Sequence, residues 1–342
     1  MSGAPCRAVC VSSGDVTVLA ENTDGGSAED AFLADAQRYR RELLAHCYRM
    51  TGSLHDAEDL VQETYLRAWK SYKGFQGNSS VRTWLYRIAT NTSLTALEGR
   101  ARRPLPTGLG APSSDPVDDI HQRAEVPWLE PLPDDATDPS SIVGSRESVR
   151  LAFVAALQHL PPRQRAVLVL REVLQWKAAE VAEAVGTSTA AVNSLLQRAR
   201  AQLDAIGPSE NDALPAPESP EAQDLLTKYI AAWETYDMDK LVELFTADAI
   251  WEMPPFDGWY VGPENIVLLS KTHCPAERPG DMRLIRTTAN GQPAAAMYLR
   301  NPGTDVYEPF QLHVLDATAV GISHVVAFHA EHFRAFGLPD TV

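Results

Sequence analysis

Several features are scarce in this 342-residue chain, and each scarcity excludes something. There are four cysteines (Cys6, Cys10, Cys47, Cys274) and no CxxC pair, which argues against a disulfide framework or a structural zinc site. A reducing cytoplasm is the expected setting. No run reaches the roughly 18 apolar residues of a membrane span, so no membrane contact is expected. The start lacks the basic stretch and apolar core of a secretory signal. Positive charge is in deficit, with 30 Lys+Arg against 45 Asp+Glu and a net charge of -15. An acidic whole repels nucleic acid, so any such contact must be local. Hydrophobic residues still make up 44%, which excludes a wholly disordered chain. The length fits two or three domains.

The charge is unevenly spread. Residues 30–103 hold twelve Lys/Arg against eight Asp/Glu, and residues 148–206 hold seven against four. Between them, residues 104–147 hold two against nine, and residues 221–342 hold eight against seventeen. Two basic islands therefore sit in an acidic chain. Residues 1–29 are small, polar and aperiodic, and are expected to be a disordered extension. Residues 30–103 and 148–206 show helical periods. The first has Leu43, Leu44, Cys47 and Met50, then Leu60, Tyr65, Leu66 and Trp69, with Ser53 opening an acidic first turn and Gly52 and Gly74 as punctuation. Residues 104–147 are proline-rich and acidic, and residues 207–220 are again proline-rich. Both read as linkers, extended in the first case. From residue 221 two helices (222–236, 238–245) precede strand-like runs at 282–288, 294–299, 310–315 and 322–328, with an Asn290-Gly291 hairpin signal.

Three motifs carry chemistry. In residues 178–203, Ala182 and Gly186 are spaced for a helix-turn-helix, with Val181, Val185, Val192, Leu196, Ala199 and Leu203 as its buried face. The second helix starts near Ser188 and would present Thr189, Asn193, Ser194, Gln197, Arg198 and Arg200 to the major groove. In residues 75–91 aromatics alternate with arginines, which suits unpaired bases. In residues 55–64 an acidic helix face suits a basic partner. His55 and Asp59 alone do not make a metal site.

Together these segments resemble the extracytoplasmic-function sigma factors of bacterial RNA polymerase. The resemblance implies that Asp56, Glu58, Asp59 and Gln62 dock core polymerase (its β′ subunit, with β the other partner). It implies that Asn78, Trp84, Arg87 and Asn91 serve the promoter -10 element, and that the six residues of the second helix read the -35 element. Leu160-Pro161-Pro162-Arg163-Gln164-Arg165 matches the start of the -35 domain. Asn193 and Leu195 depart from the usual Lys and Arg there. Trp128-Leu129-Glu130-Pro131 resembles a regulatory linker motif of a subgroup with a C-terminal SnoaL-like domain, mycobacterial sigma-G-like members above all. The implied architecture is two all-α sigma domains, the second with a helix-turn-helix, followed by an α+β SnoaL-like (NTF2-like) cone domain over residues 221–342. Trp128 is expected to bury its ring against a partner surface.

SnoaL relatives include cyclases and isomerases. Asp248, Glu252, Asp257, His313, His324 and His329 are the acid–base candidates by type, without a recognisable catalytic spacing. No cofactor, metal or enzyme activity is expected, and a small ligand of the terminal domain stays open. A stand-alone helix-turn-helix regulator and a cyclase fused to a DNA-binding segment are the alternatives.

Overall fold

In a computed structural model of the chain, the apolar period of the first basic island resolves into three packed helices. These are α1 (Arg40–Thr51), α2 (Leu54–Ser71) and α3 (Val81–Ala96). The structure describes residues 10–12, 15–17, 36–72, 75, 77, 79–136, 147–206 and 215–342. Ser53 caps α2 by accepting the Asp56 N–H at 3.1 Å, and Ser80 caps α3 through the Thr83 N–H at 3.0 Å. Leu43, Leu44, Cys47, Met50, Leu60 and Tyr65 are buried as their period requires, but Leu66 and Trp69 face outward. Within residues 1–29, β1 (Cys10–Ser12) pairs antiparallel with β2 (Asp15–Thr17), where no structure was expected.

The second island forms α4 (Leu151–Gln158), α5 (Pro162–Leu168), α6 (Ala178–Ala184) and α7 (Thr189–Ile206). Pro162 lies in the first turn of α5, where its missing N–H leaves no intrahelical bond unmade. Between α6 and α7, Gly186 adopts a positive φ of 65°, and the Thr187 N–H closes on the Ala182 carbonyl at 2.8 Å. Val181, Ala182, Val185, Val192, Leu196 and Ala199 are buried beneath this helix-turn-helix.

The terminal domain opens with α8 (Pro220–Glu234) and α9 (Met238–Leu244). Six strands form one sheet in the order β4-β3-β8-β7-β6-β5. They are β3 (Phe245–Glu252), β4 (Trp259–Val261), β5 (Met282–Ala289), β6 (Gln292–Arg300), β7 (Tyr307–Thr318) and β8 (Gly321–His329), with α10 (Pro263–His273) between β4 and β5. All neighbours are antiparallel except β3 and β8. The sequence pattern marked β5 to β8 but not β3, β4 or α10. Strand β6 explains the unbroken apolar run of residues 294–299, because both its faces are covered. Ala295 and Met297 join the core of the cone with Trp233 and Trp251, while Ala294, Ala296 and Tyr298 belong to a core continuous with the helical units.

Residues 104–136, expected to be an extended linker, are a strap laid on the other units. Prolines keep this segment from helix and sheet ladders, so its buried N–H groups must find acceptors on the other units. The Ser114 N–H donates to the Trp259 carbonyl at 2.8 Å, and the Arg123 N–H to the Pro255 carbonyl at 2.8 Å. Further on, the Leu129 N–H donates to Pro104 at 3.1 Å and the Glu130 N–H to Gly52 at 3.0 Å. Residues 137–146 and 207–214 of the two linkers lie outside the described residues. Among the described residues no helix is long and apolar enough to cross a membrane.

Candidate nucleic-acid interface and interdomain junction

Helix α7 presents Thr189, Asn193, Ser194, Gln197, Arg198 and Arg200 to solvent, while Val192, Leu196 and Ala199 are buried. Arg200 also pairs with Glu172 at 2.5 Å. The groups expected to read bases are thus all exposed, spread over the solvent half of the helix.

The second stretch is partly engaged by its neighbours, though Asn91 stays exposed. Trp84 is half-buried and its ring lies 4.7 Å from that of Phe75, at an interplanar angle of 30°. Arg87 pairs with Glu183 of α6 at 2.7 Å. The Asn91 amide donates to the Ala184 carbonyl at 3.0 Å and to the Arg87 carbonyl at 2.8 Å. Two side chains expected to meet nucleic acid are therefore engaged by the first helix of the helix-turn-helix. Asn78 lies outside the described residues.

The acidic face of α2 divides in two. Asp56 turns inward between Arg100 at 3.1 Å and Arg103 at 2.8 Å. Burial opposes its charge, but hydrogen bonds and charge from Arg103, then Arg100, prevail and lower its pKa. Glu58 lies 3.8 Å from Arg40. Asp59 is exposed, 3.9 Å from His55, and Gln62 is half-buried. Asp59, Gln62, Leu66 and Trp69 follow one another at helical spacing, so the outward Leu66 and Trp69 extend this face. Sequence periodicity assigned both to the core. The signal against that was their phase, two positions along from the buried Thr64 and one along from the buried Ala68.

The linker motif and the Asn290-Gly291 turn meet in one junction. Glu130 receives the Ser53 hydroxyl at 2.9 Å and the Leu54 N–H at 2.9 Å, and pairs with Arg103 at 3.3 Å. A carboxylate thus sits on the N-terminus of α2, where it is stabilised by the helix dipole. Leu129 and Leu132 are each 1% exposed and Pro131 is buried. The anchor is Leu129, not Trp128. Trp128 stays half-exposed with its indole N–H on the Arg123 carbonyl at 2.9 Å, because Leu129 already fills the apolar site beside Gly52. Asn290 (φ 57°) and Gly291 (φ 68°) form the two-residue turn that joins β5 and β6. Asn290 is fully buried. Its backbone N–H donates to Leu132 at 2.8 Å, and its carboxamide oxygen accepts the Leu132 N–H at 2.8 Å. Its amide donates to the Tyr48 hydroxyl at 2.9 Å and to the Val149 carbonyl at 2.7 Å. One side chain joins the terminal domain, the strap and both helical units.

A second tie uses two of the acid–base candidates. Glu252 is fully buried, 2.8 Å from His324, and accepts the Thr107 N–H of the strap at 2.7 Å. Asp316 lies 3.8 Å from His324 and pairs with Arg150 at 3.0 Å. Burial works against the His324 charge, but the hydrogen bond and charge of Glu252, then Asp316, prevail and raise its pKa above 6.5. Protonated His324 therefore stabilises this tie fully below about pH 6.5, and the stabilisation is lost as pH rises through the raised value. Thermal unfolding from about pH 5.5 to 9 should show a wild-type Tm that falls toward that of His324→Gln. Parallel curves would mean that His324 carries no charge there.

The other candidates are apart from this tie. Asp248 is exposed beside the Thr246 hydroxyl at 2.9 Å, and Asp257 lies 3.6 Å from Arg123. His313 is buried against the Tyr229 hydroxyl at 2.8 Å, and burial pushes its pKa down to about 3. His329 borders a cavity of about 170 Å³ inside the cone, together with Trp233, Trp251 and Ile120 of the strap. Among the described residues no group of three or more His, Cys, Asp or Glu is placed to hold a metal ion.

Comparison with known proteins fits this geometry. Residues 36–103 match Sigma-70 region 2, residues 150–203 match Sigma-70 region 4, and residues 226–334 match the SnoaL-like domain. The ECF RNA polymerase sigma factor SigG of Mycobacterium tuberculosis is 69% identical over 335 residues, covering 96% of this chain and 90% of SigG. SigJ of the same organism is 33% identical over 217 residues, 63% of this chain and 62% of SigJ. The crystal structure of SigJ matches with a TM-score of 0.61 at 23% identity, over 90% of this chain and 99% of that one, which is a likeness of fold. With both sigma-70 regions in order and SigG matched nearly end to end, the chain belongs to the extracytoplasmic-function RNA polymerase sigma factors.

Proposed function

We propose that this sigma factor binds core RNA polymerase through the outward face of α2, serves the -10 element with the 78–91 stretch, and reads the -35 element with α7. We further propose that the strap and SnoaL-like domain hold the two sigma regions closed. The observation that carries this reading is the engagement of Arg87 and Asn91 by α6, through Glu183 at 2.7 Å and the Ala184 carbonyl at 3.0 Å. Promoter opening then requires α6 to leave α3. Because Asp56 is engaged inside the protein, docking falls to Asp59, Gln62, Leu66 and Trp69. A member of this family regulates transcription, so the cyclase or isomerase alternative falls away.

The test is transcription in vitro with core polymerase, using the full chain and two variants. Asp59→Arg should weaken polymerase binding by about tenfold, since reversing a rim charge acts through encounter and register. Glu183→Ala breaks the exposed pair without touching a promoter-reading residue. It should raise binding to a single-stranded -10 element by about two- to fivefold, the scale of one surface ion pair. Absence of any promoter-dependent transcript from the full chain would end the reading. A Glu183→Ala variant no better than wild type would remove the closed state from it.

A second reading concerns the cone. Trp251 Nε1 and His329 Nε2 are buried without hydrogen-bond partners, and both residues line the 170 Å³ cavity. A benzene-sized apolar molecule carrying one polar group fits such a space. Ile120 in its wall would pass occupancy to the strap. Absence of any saturable phenol binding by the full chain would end this reading.

A further inference from the structure

The two sigma regions and the strap line a second cavity, of about 350 Å³, beside the strap motif. Arg100, Arg102 and Arg103 enter it from the end of the first region, Arg165 from the second, and Pro127 from the strap. Asp56 is the lone carboxylate among the lining residues, and Arg100 and Arg103 already share it. Four guanidinium groups therefore line a space with one carboxylate in its wall, and the only other carboxylate paired with them among the described residues is Glu130, 3.3 Å from Arg103.

Arg165 is the informative member. It is 3% exposed. Its terminal nitrogens donate to neutral acceptors only: the Met50 carbonyl, the Gln158 side chain at 2.7 Å, and the Gln158 and Leu160 carbonyls at 3.2 Å. Its Nε is buried with no partner. Burial lowers its pKa to about 10, with no carboxylate offsetting it. The group stays cationic at neutral pH, and a buried cation without a counter-ion is costly. His159 registers the same field. Its Nδ1 lies 2.6 Å from Arg102, and its pKa is lowered by burial and then by Arg102 and Arg165.

We propose that this cavity binds a small phosphorylated ligand of the nucleoside-diphosphate class, which clamps the two sigma regions and the strap together. Guanidinium forks match phosphate oxygens in pairs, and a cluster of them suits more than one phosphate. The volume falls in the range of small-ligand sites. Leu97, Leu160 and Pro162 add an apolar shelf for the rest of the molecule. Free nucleotide is favoured over a DNA backbone because the walls come from three separate segments, and a duplex is far wider than the space. Pro127 directly precedes Trp128 and Leu129, so occupancy bears on the strap where it docks. The inference does not depend on how the chain meets polymerase or promoter.

The experiment is calorimetric titration of the full chain with inorganic pyrophosphate, with ADP and GDP, and with inorganic phosphate. Pyrophosphate and the nucleotides should bind saturably at one site, and phosphate about tenfold or more weakly. The double variant Arg100→Ala/Arg102→Ala, checked for folding by circular dichroism, should lose affinity by at least about tenfold. Arg102→Lys should retain part of it, since the charge remains but the fork is lost. In wild type only, pyrophosphate should slow proteolysis of the strap. No saturable heat at millimolar pyrophosphate would overturn the proposal, as would wild-type affinity in the double variant. Displacement of pyrophosphate by a duplex of unrelated sequence would also overturn it and assign the arginines to the DNA backbone.

Discussion

Replacing Asn290 by glycine is expected to uncouple the SnoaL-like domain from the two sigma regions while leaving the domain itself folded. Glycine keeps the positive φ of 57° that the turn requires, so the β5–β6 hairpin suffers no strain. Only the carboxamide disappears. It holds the Leu132 N–H, the Tyr48 hydroxyl and the Val149 carbonyl at 2.7 to 2.9 Å in a fully buried site. Tyr48 keeps its bond to the Glu130 carbonyl at 2.7 Å, but the Leu132 N–H and the Val149 carbonyl lose their partner. Each buried group left unsatisfied costs about 1–3 kcal/mol, so losing both partners should weaken the coupling by about 2–6 kcal/mol. Calorimetry is the direct check. The wild-type chain, with one core running through both helical units and one face of the sheet, should unfold cooperatively. Asn290→Gly should unfold in two steps, one of them the terminal domain melting on its own. It should also transcribe more from its promoter, because the tie that keeps the sigma regions together is gone. A single transition at the wild-type midpoint would show that the turn couples nothing.

Much of the architecture was legible because local patterns and burial agree. The helix-turn-helix followed from Ala182, Gly186 and six apolar positions at helical phase, and the structure buries five of those six fully. Asn290-Gly291 was legible as a hairpin because positive φ at two successive residues leaves few choices. Its role in the junction was not legible. Nothing local tells that Tyr48, Leu132 and Val149 will converge on one carboxamide. Strand β3 was missed because Phe245 was assigned to the preceding helix and the Ala249-Ile250-Trp251 run breaks the alternation, beside an irregular register with β8. Trp128 was misjudged as the anchor by size alone. The smaller Leu129 fits beside Gly52, and packing is decided by shape rather than by bulk. The acidic face of α2 was legible as charge, but not its division into an inward Asp56 and an outward Asp59, which depends on arginines about 45 residues downstream.

Gly52→Ala should release the strap from the first sigma region, and comparison with Gly186→Ala separates the two causes. Both glycines end helices at positive φ, 71° and 65°. An alanine in that conformation costs about 1–2 kcal/mol at either position. At Gly186 a new Cβ meets nothing within 4 Å, so that strain is the whole effect. At Gly52 the Cβ would lie 2.8 Å from the Leu129 side chain and 3.1 Å from Gln158, closer than carbon atoms approach. Leu129, now 1% exposed, would have to move out, forfeiting about 1.5–3 kcal/mol of burial. Its departure pulls on Glu130, whose N–H rests on the Gly52 carbonyl at 3.0 Å and whose carboxylate caps α2. Hydrogen exchange provides the reading. In Gly52→Ala the amides of Leu129, Glu130 and Leu54 should lose protection together, while α7 stays protected. In Gly186→Ala the pattern should reverse, with α7 loosened and the strap intact. Equal, modest losses spread over both variants would mean that Leu129 is not what holds the strap, and the strap's docking would then rest on its hydrogen bonds, those of Asn290 and Glu252 among them.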